Sequence, residues 1–177
     1  FNLSMMEEYV IGIDIGGTLA RAVVLESTTF EIKDQLTKAS SDDGQELVQI
    51  IKSLFRKLED NTKQSFASLG LGIAGLAHKS GIVRYSPNLP SLVEFPIADE
   101  IKKELGIPVV MGNDATVGTI AEWEIGAGKG SENFALVTLG TGIGTGFVVN
   151  GHLLLGSNGF AGEAGHMTID VNGPVHL

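Results

Sequence analysis

At residues 9–18 the chain reads YVIGIDIGGT, an apolar strand that runs directly into two glycines and a threonine. Residues 134–146 read FALVTLGTGIGTG, which repeats an apolar strand followed by glycine and threonine. Glycine permits positive φ and close approach of the backbone, so successive N–H groups of such a turn can converge on an anion. A single turn of this kind more often closes an ordinary hairpin. Two of them, each followed by another apolar strand, predict two lobes that bind one phosphate chain.

Between the two turns, residues 109–115 read VVMGNDA, which predicts a strand that ends in a carboxylate and enters a helix. Ligands of α/β proteins gather at the carboxyl ends of strands. Asp114 is therefore a candidate general base, because a carboxylate can accept the proton of an attacking hydroxyl group. Aspartate is also a preferred N-cap of a helix. The spacing alone leaves both interpretations open.

After the second turn, residues 161–167 read AGEAGHM and place Glu163 three residues before His166. On a helix this spacing would put both side chains on one face, but the flanking glycines favour a loop. A carboxylate and an imidazole suit a ligand rich in hydroxyl groups, since each can exchange hydrogen bonds with them. Two ligands do not complete the tetrahedral shell of a zinc ion. Two solvated loop residues are the alternative.

Taken in their order along the chain, the four motifs resemble the amino-terminal portion of a ROK-family sugar kinase of the bacterial glucokinase type. The matching segments run from Val10 to Asp170. The resemblance implies an α/β fold of the actin-like ATPase (ribonuclease H-like) type, with one lobe and the start of a second. It implies ATP-dependent phosphorylation of a hexose, with glucose converted to glucose 6-phosphate as the expected reaction. ATP, Mg²⁺ and a hexose are the expected ligands.

The resemblance also assigns roles to individual residues. It makes Asp114 the base and gives Asp14 a contact with Mg²⁺ through a water molecule, although Asp14 would otherwise be read as a turn residue. Asn88, within the proline-containing loop SPNLP, is likewise a turn residue on sequence alone. The implied sugar ligands are Gly75, Asn88, Asn113, Glu163 and His166. The implied ATP-binding residues are Asp14, Gly16, Gly17, Thr18, Gly140, Thr141, Gly142 and Gly144.

Three departures from the family pattern bear on these roles. His78 stands where an aspartate is usual, which puts a sugar contact there in doubt. Thr145 replaces a glycine common in the second turn, and we expect extended backbone there because a β-branched residue does not readily take positive φ. In the family the histidine matching His166 also ligates zinc with later cysteines. This chain has none, so His166 would bind zinc only with a cysteine segment that the sequence lacks.

The composition of the 177 residues narrows the classes of function. With 43% hydrophobic and 19% charged residues it is typical of a globular protein. The net charge of −9 argues against nucleic acid or an anionic membrane as a partner, because such binding needs clustered Lys and Arg. Apolar runs are far shorter than a membrane span, and residues 1–8 do not resemble a signal peptide. We expect a cytoplasmic protein.

The pattern of apolar residues predicts two domains. Residues 5–125 form the expected amino-terminal α/β lobe, and residues 126–177 begin a second lobe after the loop GAGKG. Ser41, Asp42 and Asp43 are the candidate caps of a first helix, whose apolar positions recur every three or four residues. Strands are predicted at 9–14, 20–25, 29–37, 69–73, 82–85, 109–113 and 134–138, helices at 47–58, 97–105 and 115–123, and a hairpin at 144–155 that turns at Asn150-Gly151.

Three alternatives to a glucokinase stay open. The sugar could be N-acetylmannosamine, N-acetylglucosamine, fructose or allose. The chain could be a sugar-responsive repressor, although only 13 residues precede Asp14 and we would expect a helix-turn-helix domain there. It could also be a truncated kinase without turnover. Apolar residues on the late strands would need cover from later elements, so we expect either a homo-oligomer that shields Val137, Leu139, Phe147 and Val149 or a chain that is poorly soluble and partly disordered after Gly126.

Overall fold

The computed structural model describes residues 9–140 and 142–173. By their internal contacts, residues 1–114 and residues 115–177 form two compact units. The glycine-rich residues 126–130 lie within the second of these units. Among the described residues, no helix combines the length and apolarity that crossing a membrane requires.

The first unit is built on a five-stranded sheet. Its strands have the order β3-β2-β1-β4-β7, in which β1 pairs antiparallel with β2 and parallel with β4, and β4 pairs parallel with β7. A separate pair, β5 and β6, follows β4. The elements of this unit are β1 (Tyr9–Ile15), β2 (Leu19–Glu26), β3 (Ile32–Ala39), α1 (Gly44–Thr62), β4 (Leu69–Ile73), β5 (Leu76–His78), β6 (Ile82–Tyr85), α2 (Ile97–Leu105) and β7 (Val109–Asn113).

The core of this unit lies between one face of the sheet and helix α1. Alternate residues of a strand point to opposite faces, and in β1 the isoleucines Ile11, Ile13 and Ile15 are the buried set. Helix α1 buries its apolar stripe in the same hydrophobic cluster, as its three- and four-residue spacing predicts. Of the three candidate caps, Asp43 is the one used: its Oδ1 accepts a hydrogen bond of 2.8 Å from the Glu46 N–H.

Two local features of this unit differ from the sequence prediction. The third strand begins at Ile32 rather than Thr29, because Thr28 and Thr29 both donate hydrogen bonds to the Glu26 carboxylate in a turn. These bonds lower the pKa of Glu26 to about 2. The short strand β5 was not predicted, since three residues are too few to show an alternating pattern.

Among its described residues, the second unit contains a helix, a short 3₁₀ turn and a three-stranded antiparallel sheet with the order β10-β9-β8. Asn150 and Gly151 both have positive φ, 52° and 71°, which confirms the hairpin turn predicted there. A Cβ on Gly144 would lie 2.9 Å from the Ala115 Cβ, so this glycine lets the helix approach the strand. The elements are α3 (Asp114–Glu124), β8 (Phe134–Leu139), β9 (Ile143–Val149) and β10 (His152–Leu153).

Candidate functional site

Two carboxylates lie at the carboxyl edge of the parallel strands in the first unit. Ile15, Ile73 and Asn113 are in register across β1, β4 and β7. Asp14 precedes the first of these positions, and Asp114 follows the last as the first residue of α3. The strand pairing thus brings to one edge two acidic residues that are far apart in sequence.

The two carboxylates interact electrostatically. Partial burial and the like charge of Asp114 raise the pKa of Asp14, although its pairing partner Arg21 on β2 lowers the pKa in part. Asp14 keeps an exposed surface. A cation bound beside two carboxylates would relieve their repulsion, and carboxylate oxygens are ligands that Mg²⁺ accepts. The chemistry of this edge therefore fits the magnesium ion that the sequence suggested for Asp14.

We expect Asp14→Asn to make the fold more stable at neutral pH. A carboxyl whose pKa is raised by folding weakens the fold once it ionises, so the wild type loses stability as the pH rises through that raised pKa. Below the ordinary aspartate value of 3.8 the carboxyl is neutral, and the two proteins should converge. Urea denaturation across this range measures the difference. A gap that widens as the pH falls would contradict the assignment.

Gly75 and Asn113 join the ends of two neighbouring strands. The Asn113 side-chain Nδ2 donates a hydrogen bond of 2.8 Å to the Gly75 carbonyl oxygen. Gly75 has a φ of 121°, and a Cβ there would lie 2.5 Å from the Tyr85 carbonyl oxygen. Only glycine fits this position without strain. Gly75 and Asn113, two of the five residues suggested as sugar ligands, thus hold this strand edge together.

Asn88 lies beside the first glycine turn. A Cβ on Gly17 would stand 2.8 Å from the Asn88 carbonyl oxygen and 2.9 Å from the Asn88 Cβ. Gly17 and Gly16 are not among the residues with positive φ. Glycine is therefore required at position 17 because the backbone of Asn88 lies close to it, and not because the position needs a positive φ.

The first glycine turn uses part of its own hydrogen-bonding capacity. The Gly16 N–H donates to the Leu19 carbonyl at 3.0 Å, and the Thr18 carbonyl accepts from the Ser40 N–H at 2.8 Å. The N–H groups of Gly17 and Thr18 and the Thr18 hydroxyl are therefore the candidate donors for a phosphate. Thr18 and Gly17 are both exposed to solvent, as such a role requires.

The second glycine turn, in the second unit, has open space beside Gly140 and Gly142. The Gly140 N–H donates to the Gly142 carbonyl at 3.0 Å, and a Cβ on either residue would meet no atom within 4 Å. Thr141, which the sequence also suggested for phosphate binding, lies outside the described residues. Space at Gly140 and Gly142 suits a ligand that approaches the backbone, and Gly144 in addition lets α3 approach the strand.

Glu163 and His166 lie in a short 3₁₀ turn rather than an irregular loop. The turn covers Ala164–His166, and the Glu163 Oε2 is 3.7 Å from the His166 Nε2. Gly162 and Gly165 press against the backbone of β9, where a Cβ on Gly162 would lie 2.5 Å from the Thr145 carbonyl oxygen. The glycines that favoured a loop are thus required for packing, and both polar side chains remain exposed.

Thr145 holds this turn in place, a role that sequence reasoning missed. Its hydroxyl donates to the Gly162 carbonyl oxygen and accepts a hydrogen bond of 3.2 Å from the Ala164 N–H. Thr145 is buried and extended within β9, which confirms the backbone conformation predicted for it. The departure from glycine at this position was the available signal, but nothing in the sequence showed which residues the hydroxyl would contact.

We expect Thr145→Val to destabilise the second unit by about 1–3 kcal/mol, because two polar backbone groups lose their partner while the side-chain shape is kept. Amides of residues 161–167 should exchange faster with solvent. Thr145→Ser retains the hydroxyl and serves as the matched control. Equal unfolding free energies for the valine and serine variants, measured by denaturant titration, would show that the hydroxyl does not hold the turn.

No zinc site is formed by the part of the chain that the structure describes. Among residues 9–140 and 142–173, no three His, Asp or Glu side chains come together as a metal-binding group. Glu163 and His166 provide two such groups, and the sequence contains no cysteine to add to them. The residues present therefore do not fit a tetrahedral zinc ion.

Comparison with known proteins identifies a family. The ROK family matches residues 10–176. Glucokinase from Halalkalibacterium halodurans is 35% identical over 171 residues, covering 93% of this chain and 51% of that protein. The xylose repressor of Bacillus subtilis is 31% identical over 169 residues, covering 94% of this chain and 44% of the repressor. The chain thus spans about half the length of these relatives.

A solved structure shows the same fold. The crystal structure of a ROK family glucokinase from Streptomyces griseus, in complex with glucose and AMPPNP, superposes with a TM-score of 0.83 at 30% identity. The match covers 92% of this chain and 51% of the glucokinase. The predicted α/β fold of the actin-like ATPase type is confirmed, as is the resemblance to the amino-terminal portion of the family.

Proposed function

Because the chain belongs to the ROK family, we propose that it forms the sugar-binding part of an ATP-dependent hexose kinase that phosphorylates glucose at O6. Asp114 accepts the proton of the attacking hydroxyl as the bond from that oxygen to the γ-phosphorus of ATP forms and the bond from the γ-phosphorus to ADP breaks, with ADP as the leaving group. The phosphoryl group needs positioning and neutralisation of charge more than covalent chemistry, and bound Mg²⁺ would supply part of that neutralisation. Such an enzyme would act in the cytoplasm at the entry to glycolysis.

The observation that carries this proposal is the convergence of Asp14, Asn113 and Asp114 at one sheet edge. Strand register brings these residues to the same edge, and partial burial together with the nearby charge of Asp114 raises the pKa of Asp14. A base and a magnesium-binding carboxylate are both needed for phosphoryl transfer to a hydroxyl group. The glucokinase relatives in sequence and in structure support glucose over other acceptors.

The remaining residues are proposed as ligands in each unit separately. In the first unit, Gly75, Asn88 and Asn113 would bind the sugar, while Gly16, Gly17 and Thr18 would bind phosphate. In the second unit, Glu163 and His166 would bind sugar hydroxyls. There the turn of Gly140, Thr141, Gly142 and Gly144 would bind phosphate.

Calorimetric titration with glucose, N-acetylmannosamine, xylose and ATP tests this function. We expect the chain to bind glucose more tightly than ATP, since it carries the sugar-binding motifs but spans about half of its glucokinase relative. A preference for N-acetylmannosamine would mean that the proposed kinase phosphorylates N-acetylmannosamine and not glucose. Glucose binding with no phosphate transfer from ATP under any condition would favour the repressor or the truncated kinase. Micromolar ATP binding without a response to any hexose would reject the proposal.

We further propose that the chain forms a homo-oligomer through its second unit. On the strands β8 and β9, Val137, Leu139 and Val149 are exposed, and Leu139 reaches 81% exposure. Exposed apolar residues of this density favour association in water. We expect light scattering to show a mass above that of one chain and Leu139→Lys to reduce it. A monomer with protected amides throughout β8 and β9 would contradict this proposal.

A further inference from the structure

The loop that carries Asn88 is held by backbone hydrogen bonds where it begins and ends and by two buried leucines within it. We define residues 86–94 as the sugar-side loop. At its base, Val83 and Phe95 exchange two backbone hydrogen bonds of 2.9 and 3.0 Å. Within it, Leu89 and Leu92 are fully buried in the core. These contacts hold the two ends of the loop and its two leucines. Asn88 and Ser91, in contrast, are exposed to solvent.

The exposed tip of the sugar-side loop is held from outside by Asp42. The Asp42 Oδ1 accepts a hydrogen bond of 2.8 Å from the Ser91 N–H, and its Oδ2 accepts one of 2.8 Å from the Ser91 hydroxyl. A carboxylate that accepts two bonds from one residue fixes the orientation as well as the distance. The adjacent Asp43 instead caps helix α1. Of these two neighbouring aspartates, Asp42 therefore binds Ser91 and Asp43 caps the helix.

The Asp42 contact completes a closed series of contacts around Asn88. Asn88 stands against Gly17 in the first glycine turn. Thr18, next in that turn, accepts a hydrogen bond from the Ser40 N–H at 2.8 Å. Ser40 lies two residues before Asp42, which holds Ser91 and so returns to the sugar-side loop. This series of contacts connects Asn88 to the first glycine turn both directly and through Asp42.

We propose that Asp42 is a positioning residue that acts through Ser91 to hold Asn88 where a hexose can contact it. The role rests on the proposed function, since it presumes that Asn88 binds sugar. Without the carboxylate, the Ser91 N–H and hydroxyl bind water and the tip samples other conformations. Apparent sugar affinity then falls in proportion to the fraction of molecules whose loop is competent to bind.

Neighbouring substitutions in the full chain test the proposal. Asp42→Ala should weaken glucose binding by about threefold to tenfold, since its two hydrogen bonds are exposed and partly replaced by water. The Ser91 amide should exchange faster with solvent. Asp43→Ala removes an equal charge one residue away and should lower stability through loss of the helix cap while leaving glucose affinity unchanged. Asp42→Asn removes the charge but keeps an acceptor, and should retain most of the affinity.

A second comparison shows whether Asp42 acts through Ser91. The double variant Asp42→Ala/Ser91→Ala should bind glucose no more weakly than Asp42→Ala alone, because the carboxylate is already missing. Additive losses in the double variant would overturn the proposal. Wild-type glucose affinity in Asp42→Ala, or an equal loss in Asp43→Ala, would overturn it as well. Failure of the proposed function is distinct, since it appears as the absence of any hexose response in the wild-type chain.

Discussion

In a complete enzyme, Asp114→Asn is expected to lower kcat by roughly two or more decades, the usual range for loss of a general base. The amide keeps the shape of the side chain and one hydrogen-bonding oxygen, but it does not accept the proton of the sugar hydroxyl. Sugar affinity should therefore change little. Steady-state phosphorylation of glucose, together with glucose titration of the same preparation, separates these two effects. The assay requires the kinase activity proposed above.

Asp99→Asn is the matched control for this experiment. Asp99 and Asp114 both lie in the first turn of a helix, so both substitutions remove a negative charge that favours the positive end of the helix dipole. The charges that shift the pKa of Asp14 are those of Asp114 and Arg21, and Asp99 is not one of them. We expect its substitution to leave kcat unchanged. If both variants turn over at nearly the wild-type rate, Asp114 serves the helix and not the reaction.

Gly75→Ala is expected to lower the free energy of unfolding by about 3 kcal/mol or more, because it combines two costs. The φ of 121° is one that residues with a Cβ rarely adopt. The added carbon would also lie 2.5 Å from the Tyr85 carbonyl oxygen and 2.8 Å from the Ser86 Cα, both on backbone. Relief of the clash would displace β6 and with it the start of the sugar-side loop. Denaturant titration measures the loss of stability.

Gly106→Ala separates conformational strain from the clash at Gly75. Gly106 ends helix α2 with a φ of 75°, and a Cβ there would meet no atom within 4 Å. Its substitution should cost about 1–2 kcal/mol from backbone strain alone. We expect glucose affinity to persist in this variant and to fall in Gly75→Ala. Equal stability losses in the two variants would mean that Tyr85 and Ser86 move aside without cost.

The fold was largely predictable because its elements are marked by local patterns. The helix α1 can be predicted from the three- and four-residue spacing of its apolar residues. The hairpin turn can be predicted from Asn150-Gly151, because these residue types favour the positive φ that the turn needs. The start of β3 was not predictable in this way. Thr29 favours a strand by residue type, but the Glu26 carboxylate binds it in a turn and overrides that preference.

The candidate site was predictable in its motifs but not in the contacts that support them. Asp114 and Asn88 lie in recognisable segments, whereas the bond from Asp42 to Ser91 joins residues 49 positions apart. No periodicity or spacing indicates such a partner. The steric demand on Gly17 likewise comes from Asn88, a residue distant in sequence. Asp42 itself was predicted only as one of three possible caps of a helix.

The order of strands in the first sheet has a consequence for how the chain folds. Strands β1, β2 and β3 are joined by short turns and pair Ile15 with Ala20 and Leu19 with Ala39, so little loop-closure entropy opposes their association. Strand β4 joins only when Gly12 meets Gly70, and β7 only when Gly70 meets Val110. Pairings of such high contact order form slowly. We therefore expect β1, β2 and β3 to associate before β4 and β7 pair with them, so that the edge carrying Asp14 and Asp114 forms late in folding. A nascent chain acquires its candidate base only after most of this sheet has been synthesised.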